Sequence, residues 1–135
     1  MNELLSVKDV LGFAIERTAA LNNFWNLFIV VATAVVGIMA SGKPFTNSKL
    51  LKIFLSIAFI LFAYTNLTAI LKLANLRAAL LDMIPKDIEN IQPVIDNLTP
   101  PGHLQYIVYH GMLDIVVVAA IWFVPWSKLT GQNKR

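Results

Sequence analysis

The residue best placed for chemistry in this sequence is an acid in an apolar setting. Asp114 interrupts an otherwise uncharged run from Leu104 to Trp126. A charged side chain in hydrocarbon costs about 2.5 to 3.5 kcal/mol on insertion scales, so it needs a partner, water or a proton. On a helix, His103, Tyr106 and His110 share its face. A second polar set, Tyr64, Thr65, Thr68 and Lys72 with Asn75, follows one face of another apolar run. If the two runs are antiparallel, Tyr64 and Thr65 fall at the depth of Asp114, Thr68 near His110 and Lys72 near Tyr106, forming one polar seam. A seam of this kind relays a proton or cation, with Asp114 titrating and His110 passing the proton on. Alternatively it holds helices together through hydrogen bonds contributing about 0.6 to 2 kcal/mol each. Beyond Asp114 the same face becomes Val117 and Ile121. The polar path therefore stops halfway, which favours packing.

Other chemistries lack their residues. His110 and Asp114, four apart, supply two ligands, too few for a usual transition-metal site. His103 and His110 stand about 10 Å apart along one helix and cannot clasp one haem iron. With no Cys in the chain, disulfide scaffolds, thiolate zinc sites, iron–sulfur clusters and cysteine nucleophiles are excluded. There is no Gly-rich phosphate loop, no Ser/His/Asp order in a strand–turn–helix context and no paired carboxylates. The expectation is no enzyme, no metal and no cofactor.

The elements that must position these residues follow from composition. The 135 residues are 57% apolar and 14% charged, against roughly 25% charged in a soluble domain. This is a membrane composition, for a single domain. Between Arg17 and Lys43 lie 25 uncharged residues, and 21–40 suffices to cross a core about 30 Å thick. Lys52 and Lys72 bracket 19 more. The second span is set at 50–72, with its helical pattern continuing to about residue 82. The third is 104–126, ahead of a basic tail at 127–135. Ser6 and Asp9 have capping-box-like spacing. Over 1–20, Val10, Leu11, Ala14, Thr18 and Leu21 oppose Lys8, Asp9, Gly12 and Glu16, which predicts an amphipathic lead-in helix on the headgroups or running into the first span. Ile88, Ile91, Ile95 and Leu98 recur at helical spacing after Pro85, which predicts a short interfacial helix over 85–98 bent at Pro93. The expected fold is thus an all-α integral membrane protein with three transmembrane helices, an N-terminal amphipathic helix and a short interfacial helix in the second loop.

Orientation follows from Lys and Arg in the short flanks. One side carries Lys43, Lys49, Lys52, Lys128, Lys134 and Arg135 and no acid, whereas all the extramembrane acids lie on the other. The reading is N-terminus out and C-terminus in, in a plasma membrane of bacterial inner-membrane type. Trp25, Trp122 and Trp126 suit interfacial belts. The basic excess fits this topology and anionic lipid rather than nucleic acid. Thr33, Gly37 and Ser41, every fourth residue, form a small-residue row that lets another helix approach closely.

Three spans make a thin bundle that cannot shield the seam and this row from lipid, so partners are expected besides the bilayer itself. The leading expectation is a non-enzymatic multi-pass protein acting as a homo-oligomer or as an accessory subunit of a larger membrane complex. The alternative is a small homo-oligomeric ion channel or pore whose seam, centred on Asp114, lines the path. In size and in its N-out, C-in three-span layout the chain is similar to phage holins. Its second loop of about 30 residues departs from the short connections typical of them, and the layout alone assigns no family.

Overall fold

A computed structural model describes residues 6–88 and 90–124. They form four α-helices: α1 (Val7–Ala40), α2 (Lys49–Asp82), α3 (Gln92–Leu98) and α4 (His103–Phe123), with a 3-10 turn at Pro44–Asn47. No strand occurs among the described residues. In lipid every backbone N–H and C=O must find a partner within its own segment, and uninterrupted helices provide that. Three of the helical segments are long and apolar enough to cross a membrane.

The start of α1 is fixed by its sequence. Ser6 Oγ accepts from the Asp9 backbone N–H at 3.2 Å, while Asp9 Oδ2 accepts from the Ser6 N–H at 3.2 Å. Two otherwise orphaned donors are satisfied reciprocally. Gly42, at φ 65°, turns the chain out of α1, a left-handed conformation that costs glycine nothing. Thr46 Oγ1 then donates to the Lys43 carbonyl at 2.7 Å and closes the 3-10 turn.

Three apolar clusters run from one end of the bundle to the other. Phe28, Val35 and Met39 of α1 pack with Leu55, Phe59 and Ala63 of α2 and with Val117 and Ile121 of α4. Leu21 meets Ile70, Ala74 and Tyr106. Val10 and Ala14 meet Leu81 and Ile84. Rising numbers on α1 meet falling numbers on α2, so the two helices form an antiparallel hairpin, and α4 runs antiparallel to α2. Each of α1 and α2 has 34 residues, about 51 Å at 1.5 Å per residue, well beyond a core of about 30 Å. The flanks are apolar and exposed, with Ile29, Val30, Phe54, Ile57, Leu61, Ile115 and Val116 all open.

Residues 7–20 are the first turns of α1, so this segment runs directly into the first span, one of its two expected arrangements. Their apolar face is covered from within the chain: Val10 and Ala14 pack on Leu81 and Ile84, with Ile91, Ile95 and Leu98 against them. The loop helix spans Gln92–Leu98 rather than 85–98, and Pro93 occupies its first turn instead of a bend. Its apolar residues join the same cluster. Periodicity showed that both segments have an apolar face, and the face of each is covered by the other and by the end of α2. Residues 1–5, the end of the expected third span at Trp126 and the tail at 127–135 lie outside the described residues.

Candidate functional site

The polar centre of the bundle is Asn66, His110 and Asp114. A buried position on α2 faces α4 at Asn66, and its Nδ2 donates to His110 Nε2 at 3.3 Å. His110 Nδ1 donates to Asp114 Oδ2, one turn further along α4, at 3.0 Å. These partners select the tautomer with the proton on Nδ1. The imidazole is fully buried, with its centroid 4.4 Å from the ring of Phe28 and 5.5 Å from that of Trp25. Among the described residues two buried atoms are left over: Asn66 Oδ1 and Asp114 Oδ1 have no hydrogen-bond partner there. Asp114 is nevertheless 24% exposed as a side chain. It opens on an apolar groove of about 560 Å³ between α2 and α4, lined by Ile60, Val118, Ala119 and Trp122 among others.

Of the polar residues expected in the seam, the structure joins only some. His110 and Asp114 meet, and His103 Nε2 donates to Asn75 Oδ1 on α2. Tyr106 is buried among Leu21, Ile70 and Ala74. Tyr64, Thr65 and Lys72 are exposed on α2, and Thr68 is partly buried. None of these four meets the α4 set, because the helix faces differ: Asn66 is the α2 residue that faces His110. The threonines satisfy themselves locally. Thr65 Oγ1 donates to Phe62 O at 2.8 Å and Thr68 Oγ1 to Tyr64 O at 2.8 Å, so neither hydroxyl requires a neighbouring helix. Thr33, Gly37 and Ser41 are exposed, and a Cβ placed on Gly37 would meet nothing within 4 Å. Among the described residues this row makes no close helix contact.

Three further residues, Trp122, Trp25 and Arg77, make contacts outside the expected set. Trp122 Nε1 donates to Ser56 Oγ at 3.0 Å and ties the far end of α4 to α2. Trp25 packs edge-on to Tyr109 with centroids 5.7 Å apart and lies against His110. Arg77 is buried, 7% exposed; its Nε donates to the Leu98 carbonyl and its Nη1 to Thr18 Oγ1 at 3.1 Å. One guanidinium thereby links α1, α2 and the C-terminal end of α3.

Chemically, the trio can fix the register of α2 against α4 and aim a carboxyl at the groove. Among the described residues no three His, Asp or Glu side chains converge as metal ligands. His110 and Asp114 remain a two-ligand pair. Comparison with protein-family models, with curated proteins and with solved structures finds no match.

Proposed function

We propose that this chain acts without catalysis, as a small multi-pass subunit of bacterial-type plasma membrane that self-associates or docks on a larger membrane complex, N-terminus outside and C-terminus inside. The observation carrying this reading is the singly bonded Asp114 carboxyl, whose side chain is 24% exposed on the α2–α4 groove. A carboxyl has about four lone-pair sites, and one is occupied within the chain. Unfilled polar capacity is expensive in hydrocarbon, where no water competes to fill it, so a donor from another chain is favoured there. The exposed Tyr64 hydroxyl adds a polar group that lipid does not satisfy, and the exposed Thr33, Gly37, Ser41 row adds a small surface that another helix can approach closely.

The conducting alternative draws less support. Val117 and Ile121 continue the Asp114 face and are buried against Phe28, Phe59 and Met39, which leaves no polar route beyond the carboxyl. The test is co-purification of a tagged chain after gentle extraction from its own membrane. Asp114→Asn is expected to weaken recovery of the companion chains while the helical content stays unchanged. Undiminished recovery, coupled with altered ion flux in vesicles, would transfer the role of Asp114 to conduction and refute the docking reading.

A further inference from the structure

Two polar groups beside the α2–α4 groove keep hydrogen-bonding capacity that the described residues do not fill, and they are complementary. Tyr64 is 70% exposed and its hydroxyl has no hydrogen-bond partner among the described residues. Asp114 is bonded within the chain by His110 alone, and its side chain is 24% exposed on the groove, so its carboxyl has acceptor capacity to spare. They flank one groove: Tyr64 stands one helical turn beyond Ile60, which lines it, and Asp114 lines it from α4.

Their depths also agree. Three bonds tie α2 to α4, Asn75 to His103, Asn66 to His110 and Ser56 to Trp122, and between the last two ten residues of α2 run against twelve of α4. Asp114, a third of the way from His110 to Trp122, is level with about residue 63 of α2, within about 2 Å of Tyr64 at a rise of 1.5 Å per residue. Side chains lean toward the N-terminus of their own helix. Because α2 and α4 are antiparallel, Tyr64 and Asp114 lean toward a common level. By the same interpolation Ile60 is level with Val117 and Val118.

Equal depth matters because a two-fold axis along the membrane normal preserves depth while exchanging partners, so reciprocal contacts must join residues at one level. We infer that the groove is occupied by a second copy of this chain, related by such an axis, with the Tyr64 hydroxyl of each copy donating to the Asp114 carboxyl of the other. Ile57 and Ile60, both exposed, then fill the groove beside Ala119, whose small side chain permits close approach. A foreign helix bearing one basic residue would satisfy Asp114 but leave the Tyr64 hydroxyl in lipid. A second copy satisfies both groups twice and closes the set. The inference deepens the docking reading and rests on it.

The native chain lacks cysteine, so introduced thiols report cleanly. Ile60→Cys chains and Val118→Cys chains are purified separately, mixed, reconstituted in phosphatidylcholine vesicles and oxidised. The expected product is a disulfide-linked pair holding one chain of each kind, whereas Ile29→Cys, exposed on α1, mixed with Val118→Cys gives none. Tyr64→Phe keeps the ring and loses the donor, so the bundle folds as before. With two bonds lost per dimer at roughly threefold each, association measured by energy transfer on lipid dilution is expected to weaken about tenfold. Equal linking at Ile29 and Ile60, or equal association of Tyr64→Phe and the native chain, overturns the inference. If the copies stay apart in vesicles while native membranes yield a complex with other chains, the second copy is refuted and the docking reading stands. If the chain is solitary there too, both fall.

Discussion

Replacing His110 by Leu removes the link between Asn66 and Asp114 and strands a polar group on each side. Asn66 Nδ2 loses its acceptor at 3.3 Å and Asp114 Oδ2 its donor at 3.0 Å. A buried polar group left unsatisfied costs about 1 to 3 kcal/mol, and interhelical bonds in bilayers sit near the lower end of the aqueous range. The two together give an expected loss of about 2 to 4 kcal/mol. Asp114→Leu alone strands one donor, His110 Nδ1, and is expected to cost about 1 to 2 kcal/mol. The double variant His110→Leu/Asp114→Leu leaves only Asn66 unpaired, so it should be more stable than His110→Leu alone, with coupling of about 1 kcal/mol or more. The assay is reversible unfolding in mixed micelles, followed by helicity and by the fluorescence of Trp25, whose ring lies against His110. Strictly additive losses would show that the three residues are not a unit and refute the reasoning.

Arg77→Met keeps most of the side-chain stem but removes the donors to Leu98 O and Thr18 Oγ1; a loss of about 1.5 to 3 kcal/mol is expected, seen as faster amide exchange in α3 and the α3–α4 connection, with exchange near Phe59 unchanged. Ser6→Ala removes the cap of α1 and should cost about 1 kcal/mol, confined to exchange in the first turn; a shift spread along the helix would contradict the local role. For topology, a cysteine at Asn47 should be protected from an impermeant thiol reagent applied outside, and one at Asn90 labelled; the opposite pattern inverts the proposed orientation.

Long uncharged runs made the three spanning segments legible, since a helix that must satisfy its backbone in lipid is set chiefly by length and hydropathy. The His110–Asp114 contact was equally legible, because residues four apart on a helix are neighbours wherever the helix sits. The α2 face was not. Tyr64, Thr65, Thr68 and Lys72 outnumber the other polar residues of that span, yet threonine hydroxyls bond their own helix and a tyrosine or lysine tolerates an outer position. Asn66 is different. A carboxamide needs partners for two donors and an acceptor, which makes one amide deep in a span a stronger signal than several hydroxyls. The residue type carried that signal, and counting polar positions obscured it. Arg77 was hidden for a related reason: its partners are a carbonyl oxygen and a hydroxyl far away in the chain, which no local spacing reveals. The amphipathic ends illustrate a third limit. An apolar stripe at Val10, Ala14 and Leu21 says that something covers it, and only the fold identifies Leu81, Ile84, Ile70 and Ala74 as the cover.

The measurement that bears most directly on the account is the mass of the particle containing this chain after gentle extraction from its own membrane, with every chain in it identified. A discrete assembly is predicted, holding two or more copies or a larger membrane partner, and dissociating more readily when Asp114 is replaced. A single chain carrying only lipid, in native membrane and at native abundance, would contradict it.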